Sequence, residues 1–329
     1  MNKTTAATDR PWMDAISRDE LKELLELEDW RSWLTLTLNW GMVAAAFALV
    51  AVWPNVLTVI VALLVIGARQ LGMAVVMHEA SHRTLFKNTT LNDWVGNWLA
   101  AYPVWLDSAP YRIYHLQHHA KTGTPEDPDI GLVTPFPITP ASLRRKIWRD
   151  LSGQTGWKRA KATFRRDMGI SRGKVRRRDD AGIRSLRGVL VTNGMMLAVL
   201  ALCGHAELYL LWVGAWMTTY SLVMRIRSIA EHAMTPDPAD PLGNTRTTIA
   251  RWWERLVLAP NRVNYHLEHH LVISVPHYKL PRFHQMLKER GALKDACIER
   301  GYLPVLRRAA SAGVASGGSP AGDTSLTWG

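Results

Sequence analysis

Long apolar runs alternate with polar, charged segments along this chain. Two runs that are almost uncharged, residues 33–53 and 56–76, follow each other with a short break at Pro54. Each matches the roughly 20 apolar residues that cross a bilayer core as one helix. Residues 186–202 and 209–223 form a second pair of such runs. The pattern predicts an all-α integral membrane protein with four transmembrane helices in two hairpins.

The segments outside these runs divide the chain into three parts. In residues 1–32, Ser17 and Glu20 form a capping-box pattern ahead of a short amphipathic helix, which lies on the membrane surface or packs on the domain. Residues 33–307 are predicted to form the membrane domain with a helical cytoplasmic cap. Residues 308–329 are rich in Ala, Gly and Ser without periodicity, a composition typical of a disordered tail.

Two details refine the membrane prediction. Residues 91–106 are weakly apolar and rich in Trp, which favours an interfacial or half-inserted segment over a full span. Arg69 interrupts the second apolar run. Because an ionisable residue at that depth must face protein or water, we expect Arg69 on the buried side of its helix.

The positive charge of the chain is concentrated between the two hairpins. Residues 144–187 carry sixteen Lys or Arg against four Asp, in a chain of net charge +12. Cytoplasmic segments of membrane proteins collect Lys and Arg, so this loop, both termini and the site are predicted on the cytoplasmic side. The charge then needs no nucleic-acid partner. The basic, alanine-rich sequence and the late first apolar run predict a bacterial inner membrane protein without a cleaved signal peptide.

Histidines provide the chemical signal. Eight of the twelve lie in three short clusters, His78/His82, His115/His118/His119 and His266/His269/His270. Helical spacings of three and four residues place such side chains on one face, so each cluster can aim two or three imidazoles at a common point. Adjacent histidines such as His118 and His119 diverge by about 100° and can reach different metals. His232, just after the last predicted span, is a candidate ninth ligand.

Other polar residues near the clusters are candidates for a supporting role. Acids and amides of this kind orient metal-bound imidazoles through hydrogen bonds, and the candidates are Glu79, Glu231, Asn264 and Glu268, with Asp127 or Asp129 in addition. The histidines outside the clusters, His205, His277 and His284, are predicted as surface or hydrogen-bonded core residues. No catalytic residue is predicted beyond the metal ligands.

The composition of the clusters limits the choice of metal. Cys203 and Cys297 lie far apart, which excludes a disulfide framework, a Cys-x-x-Cys zinc site and an iron–sulfur motif. A structural zinc needs only four ligands, whereas the three clusters offer eight. Two metals of higher coordination number are predicted, and iron is the metal for which an open, nitrogen-ligated site makes oxygen chemistry useful.

The set of patterns His-x3-His, His-x2-His-His and His-x2-His-His behind four spans resembles the membrane fatty acid desaturase family and its hydroxylase and ketolase relatives. The resemblance covers residues 33–287, including the stretches 266–271 and 275–281. It implies that two iron ions are bound by His78, His82, His115, His118, His119, His266, His269 and His270, with His232 as an additional ligand. It also implies O2 as co-substrate and a lipid acyl chain as substrate.

Three functions remain open from sequence. The first is an acyl-chain desaturase, the second is a hydroxylase or ketolase acting on a carotenoid, sterol or other lipid, and the third is a non-redox zinc hydrolase, receptor or transporter. The chain contains no fused haem, flavin or iron–sulfur motif, so a separate electron donor is expected, such as ferredoxin or a similar small acidic protein. The basic loop would attract such a donor or anionic lipid headgroups.

Overall fold

The computed structural model describes residues 11–171, 174–175 and 180–313, and α-helix dominates it. The first part of the chain forms α1 (Pro11–Asp14), α2 (Arg18–Leu25), α3 (Asp29–Val52), α4 (Val56–His82), α5 (Thr89–Val95), α6 (Ser108–Lys121), α7 (Ile130–Val133), α8 (Pro140–Leu151) and α9 (Gln154–Asp167). The second part forms α10 (Asp180–Leu202), α11 (Tyr209–Met217), α12 (Thr219–His232), α13 (Trp252–Val257), α14 (His266–Leu271), α15 (Leu280–Glu289) and α16 (Tyr302–Ala309).

Four short strands accompany these helices. β1 (Ile170–Ser171) pairs with β2 (Lys174–Val175) in the antiparallel sense, and β3 (Thr247–Ile249) pairs with β4 (Ile298–Arg300) in the parallel sense. The sequence did not predict these strands, because two or three residues are too few to show an alternating pattern. The prediction of a helical protein is otherwise confirmed over the described residues.

Three helices in the described part of the chain are long and apolar enough to cross a membrane: Asp29–Val52, Val56–His82 and Gly182–Leu202. They coincide with the predicted spans 33–53, 56–76 and 186–202. Asn55 starts the second helix of the first hairpin, since its side chain accepts from the backbone N–H groups of Leu57 and Thr58 at 3.0 and 3.1 Å. This helix continues past the predicted end and carries the first histidine cluster at its C-terminus.

The predicted fourth span, residues 209–223, is not one continuous helix. α11 ends at Met217 and α12 starts at Thr219, with Thr218 at φ −116° and ψ −85°. Arg159 of α9 donates to the Trp216 carbonyl and, at 3.1 Å, to the Ser221 hydroxyl, so polar groups near the break have partners. Gly156 lets α9 approach, because a Cβ there would lie 2.3 Å from the Met217 carbonyl oxygen. Hydropathy alone cannot reveal this interruption.

The segment that was predicted to be interfacial is also irregular. After α5 the chain forms a π-helix (Gly96–Ala101) and a 3-10 turn (Tyr102–Val104), and none of these elements is long enough to span a bilayer. Gly96 packs against the end of α4, where an added Cβ would lie 2.3 Å from the Ala80 side chain. The segment therefore supports α4 close to the first histidine cluster.

The N-terminal helix packs on the protein. Ser17 and Glu20 form the predicted capping box at the start of α2. Leu24 is fully buried in a small apolar cluster with Leu267 of α14 and Phe283 of α15. The packing alternative is therefore the one that the structure adopts, and the burial of Leu24 connects α2 to the helix that carries the third histidine cluster.

Two further sequence expectations concern single positions. Arg69 is buried, with 6% of its surface exposed, and its guanidinium donates to the Leu256 carbonyl at 2.5 Å, which confirms its predicted orientation. The last helix ends at Ala309, and Ile138 donates to the Ala309 carbonyl at 2.8 Å. The first residues of the predicted tail 308–329 thus belong to the fold, while residues 314–329 lie outside the described part.

Candidate metal centre

Four helices converge on one buried site. The C-terminal ends of α4 and α12 meet α6 and the short helix α14 there. Together they bring close to one another all nine histidines that the sequence singled out: His78, His82, His115, His118, His119, His232, His266, His269 and His270. Spacings of three and four residues keep the imidazoles of each helix on one face, as the sequence predicted.

An arginine that the sequence analysis did not single out fixes the first two clusters relative to each other. Arg112 of α6 donates from Nε to the Ser81 carbonyl at 2.8 Å and from Nη2 to the Ala80 carbonyl at 3.0 Å. These carbonyls lie in the last turn of α4, where the helix leaves acceptors without intrahelical partners. Asp93 accepts from the same guanidinium at 2.7 Å. The contact aligns α6 with the end of α4, and local sequence carries no signal for it.

The nine histidines separate into two groups. The five-histidine group contains His78, His82, His115, His119 and His269, and the four-histidine group contains His118, His232, His266 and His270. Within each group one ring nitrogen per residue lies within 4.8 Å of the others. Adjacent residues fall into different groups at both places where two histidines follow each other. The helical divergence expected for His118 and His119 is therefore present, and His269 and His270 repeat it.

The spacing of the ring nitrogens fits metal ligation. The Nε2 atoms of His115 and His119 are 2.9 Å apart, and those of His119 and His269 are 3.1 Å apart. In the four-histidine group, His232 Nε2 and His266 Nε2 are separated by 2.8 Å. Two nitrogens bound at right angles to one ion at about 2.1 Å would lie about 3.0 Å apart. The nitrogens thus have the separation of neighbouring ligands in octahedral or five-coordinate geometry.

Several imidazoles are buried without other partners. Both ring nitrogens of His82, Nδ1 of His119 and Nε2 of His270 have no hydrogen-bond partner among the described residues. Leaving a buried polar atom unpaired costs about 1–3 kcal/mol, so a site with several such atoms is poorly explained as packing alone. A metal ion that accepts the lone pair of one ring nitrogen on each of His82 and His270 would remove part of that cost. The residues present therefore fit a pair of metal ions.

Burial also sets the protonation state that ligation requires. It lowers the pKa of five of these imidazoles well below the usual value: His115, His232, His266, His269 and His270. Neighbouring imidazoles lower each pKa further by mutual repulsion of the charged forms. These side chains are neutral at physiological pH, and the neutral imidazole is the form that binds a metal.

Asp127 orients a histidine of the four-histidine group. Its Oδ1 lies 2.8 Å from His118 Nδ1, and its Oδ2 accepts from the Gly123 backbone N–H at 2.9 Å. Burial acts to raise the pKa of Asp127, but the hydrogen bond and charge of His118 outweigh it and lower that pKa. Asp129 is 3.7 Å from the same nitrogen and accepts from the Tyr114 hydroxyl. Of the two aspartates weighed from sequence, Asp127 makes the direct contact.

Glu79 supports the five-histidine group. Its Oε1 is 3.3 Å from His78 Nδ1, while its Oε2 accepts from the His277 backbone N–H at 2.9 Å and from the Thr84 hydroxyl at 3.0 Å. His277 Nδ1 lies 3.3 Å from the same carboxylate oxygen. His277, predicted as a surface or core histidine, is thus a core residue that holds Glu79. The contact joins residues 198 positions apart, which explains why no local pattern revealed it.

Glu268 is held in a similar way on α14. It is fully buried, its Oε1 lies 2.6 Å from His284 Nδ1, and its Oε2 accepts from the Thr247 hydroxyl at 2.5 Å. Thr247 also accepts from the Leu267 backbone N–H at 3.2 Å. Strand β3 thereby fixes the start of the third cluster. His284 was predicted as a surface or hydrogen-bonded core residue, and its imidazole is the side chain that contacts the Glu268 carboxylate.

The two remaining candidates differ from each other. Glu231 accepts from Arg227 at 2.6 Å and lies 3.6 Å from His266 Nε2, and burial raises its pKa to about 7 despite the charge of Arg227. Asn264 donates to the Thr248 carbonyl at 3.0 Å, and its Oδ1 has no hydrogen-bond partner among the described residues. Glu231 therefore faces the four-histidine group, whereas Asn264 connects the third cluster to β3.

Two spaces lie close to the site. A small cavity of about 40 Å³ adjoins His78, and its lining combines apolar side chains such as Trp105 and Met224 with the arginines Arg159, Arg166 and Arg227. A larger apolar groove of about 720 Å³ runs between α3, the π-helix and α10. Pro103 lines the groove and Val104 lines the small cavity, so the turn Tyr102–Val104 separates the two spaces.

Comparison with known proteins gives a consistent result. The sequence model of the family described as fatty acid desaturase matches residues 51–300. Dihydrorhizobitoxine desaturase of Bradyrhizobium elkanii is 29% identical over 244 residues, 71% of this chain and 69% of that protein. The sn-1 oleoyl-lipid 12-desaturase of Synechocystis is 25% identical over 87% of this chain and 85% of its own length. The chloroplastic omega-6 fatty acid desaturase of Brassica napus is 24% identical over 82% of this chain and 62% of its own length.

Proposed function

Because this chain belongs to the fatty acid desaturase family and is therefore an oxidoreductase, we propose that it inserts a double bond into a lipid acyl chain, using O2, two iron ions and electrons from an external carrier. The observation that carries the proposal is the division of nine buried or half-buried histidines into two groups within one site. A hydrolytic zinc centre would need fewer ligands, and the resemblance inferred from the histidine patterns agrees with the family match.

Iron is the metal that we assign to both groups. Imidazole suits zinc, copper and nickel as well, but a group of five imidazoles exceeds the four ligands of a tetrahedral zinc site, and iron is the metal for which an open nitrogen-ligated site makes O2 chemistry useful. When bound, two iron ions would supply the activation of O2 that an unactivated C–H bond requires, since such a bond has no acidic proton for a general base.

The residues of the chain then have definite tasks. The nine histidines hold the ions, and the partial to full burial of these side chains limits the access of bulk water. Asp127 fixes the ring of His118 through Nδ1, so that Nε2 remains directed into the group. Glu79 and Glu268 receive hydrogen bonds from the surrounding core and hold the backbone of their helices close to the imidazoles.

A lipid acyl chain is the proposed substrate. Two of the similar proteins are named for action on oleoyl lipid or fatty acid, and the groove between α3 and α10 has a volume of about 720 Å³ and the apolar lining that suits an acyl chain. We propose that the chain lies in this groove and that displacement of the turn Tyr102–Val104 admits its reacting methylenes to the small cavity beside His78. The double-bond position would then depend on the distance between the turn and the histidines.

The orientation in the membrane follows from charge. We place the histidine site, both termini and the basic loop on the cytoplasmic side of a bacterial inner membrane, because sixteen cations fall within residues 144–187. With α11 and α12 completing the second hairpin as a broken span, the chain crosses the bilayer four times. A soluble cytoplasmic carrier such as ferredoxin would then reach the site from the aqueous side.

The test is high-resolution mass spectrometry of total lipids and pigments from cells that express the chain together with an electron-donor system. Cells that express the wild type should contain lipids two hydrogens lighter than the corresponding lipids of control cells. Cells that express His118→Ala should not contain these products. Lys22→Ala, at an exposed position of α2 outside both groups and outside the groove, is the control and should behave as the wild type. Products that gain oxygen would instead establish a hydroxylase or ketolase, and the absence of any difference would refute both.

A further inference from the structure

A positively charged cleft opens on the surface formed by β3, β4 and α15. Its volume is about 820 Å³, and four exposed cations line it: Arg251, Lys288, Lys294 and Arg300. Among the described residues that line the cleft there is no carboxylate, and none of these four cations forms an ion pair with a described residue. None of the lining residues belongs to the three candidate spans. The cleft thus presents four exposed cations outside the membrane helices, and the neighbouring carboxylates Glu254 and Glu299 accept from backbone N–H groups of Arg251 and Arg300.

The floor of the cleft leads directly to the histidine site. His284 and Tyr265 line the floor, with their ring centroids 5.4 Å apart. His284 Nδ1 contacts Glu268 Oε1 at 2.6 Å, and Glu268 lies on α14 between the imidazoles of the third cluster. Tyr265 immediately precedes His266. One carboxylate therefore separates the solvent-facing floor from the helix that supplies ligands to both groups.

We propose that this cleft is the docking site of the acidic electron-transfer protein. The inference rests on the proposed function, because a donor is needed only if the site consumes electrons from outside. Redox partners form small contacts that opposite charges steer, and a cluster of unpaired cations beside a short connection to the metal ligands suits such a contact. The connection through His284 and Glu268 gives a docked donor a short route to α14.

The electron balance defines how often the cleft must be used. For each double bond, O2 is reduced to two waters with four electrons and four protons. The two broken C–H bonds provide two electrons and two protons, two one-electron donors provide the remaining electrons, and solvent provides the remaining protons. Two docking events per turnover are therefore required of a one-electron carrier.

The other large basic surface has a different character. α9 exposes Lys161 and Arg165 on the same side as Trp157 and Phe164, whose exposed fractions are 59% and 45%. Aromatic side chains mixed with cations are typical of the headgroup layer of a bilayer. This surface therefore serves as a matched control, since it has similar charge and exposure but a different proposed environment.

Binding is tested on the metal-free full chain, which separates docking from catalysis. The probe is an oxidised plant-type [2Fe–2S] ferredoxin, titrated calorimetrically at low and at high salt. We expect Lys288→Glu combined with Arg300→Glu to weaken binding at low salt at least tenfold and to flatten its salt dependence. Lys161→Glu combined with Arg165→Glu makes the same charge change on α9 and should alter binding less than twofold. Equal binding by the cleft variant and wild type would overturn the proposal, as would stronger weakening by the α9 variant.

A second measurement keeps the two proposals apart. With iron-loaded protein, dithionite replaces the carrier and needs no docking site. The cleft variant should form product at the wild-type rate with dithionite and at least tenfold more slowly with reduced ferredoxin. A cleft variant that keeps the wild-type rate with ferredoxin would refute docking while desaturation stands. Ferredoxin binding that depends on the cleft in a protein without O2-dependent product would refute the proposed function while docking stands.

Discussion

The two histidine groups differ in what surrounds them. In the five-histidine group, neither ring nitrogen of His82 has a hydrogen-bond partner among the described residues. The four-histidine group has one imidazole fewer, but Asp127 contacts His118 and Glu231 lies 3.6 Å from His266. The first group thus fills more of a metal's coordination shell and has one acid, Glu79, beside its imidazoles, whereas the second leaves more positions unfilled and has two, Asp127 and Glu231. We infer that the two ions have unequal environments within one site.

Acidification should produce the largest effect, because it acts on both groups. The folded-state pKa of buried imidazoles such as His115, His266 and His269 is well below the unfolded value of about 6.5. Their contribution to stability is therefore fully present above about pH 6.5 and is lost as the pH falls below it. Metal release and the melting temperature of the detergent-solubilised protein should be followed from pH 8 to pH 5. We expect both ions to leave, and the melting temperature to fall, over the same pH range. A melting temperature that rises on acidification would contradict this expectation.

Removal of one ligand should empty one group. His118→Ala and His119→Ala change adjacent residues that serve different groups. Each variant should retain about one iron per chain instead of two and should lose product formation completely, because both ions are needed. Iron per chain is measured by elemental analysis of purified protein, with His205→Ala as the control. Loss of both ions in only one of the variants would show that one group needs the other in order to bind its ion. That result would contradict the assignment of one ion to each group.

Asp127→Asn should have a smaller effect that is confined to the four-histidine group. The Asn side chain has no negative charge with which to accept the hydrogen bond from His118 Nδ1–H. Loss of such a partner lowers metal affinity by about 10–100-fold. Competition with a chelator should therefore release one ion early and leave the other. Glu207→Gln removes a similar carboxylate from the exposed His205 and is the matched control. Unchanged chelator resistance would remove Asp127 from its assigned role.

His277→Gln should give the smallest change. The carboxylate of Glu79 keeps the residue 277 backbone N–H at 2.9 Å and the Thr84 hydroxyl at 3.0 Å when the imidazole is absent. We expect a loss of activity below about tenfold, less than the effect of losing a sole orienting partner. Initial rates with dithionite as reductant measure the loss, with Lys22→Gln at an exposed position of α2 as the control. A loss as large as that of a ligand variant would mean that His277 does more than hold Glu79.

The site was more predictable from sequence than the membrane domain. The histidine clusters follow local helical spacing, so their gathering and the divergence of His118 from His119 were accessible without a structure. The interruption at Thr218 was not accessible, because the groups around it are satisfied by Arg159 from a distant helix. Hydropathy reports the transfer of side chains into lipid and is insensitive to such a break.

The same distinction applies within the site. His277 and His284 belong to no cluster, and each reaches its glutamate only after the chain has folded. Arg112 likewise acts on α4 through tertiary contact. Candidate ligands are recognisable from sequence because several of them must share one helical face, which requires a regular spacing. A residue that orients a ligand needs only one contact and therefore leaves no repeated pattern.

The most direct test of the account is to locate the metals by anomalous diffraction from crystals of the purified, iron-loaded protein, with data collected on both sides of the iron absorption edge. We expect two iron peaks, one among His78, His82, His115, His119 and His269 and the other among His118, His232, His266 and His270. A single peak, or peaks that follow the zinc edge instead, would contradict the assignment of two iron ions to these two groups.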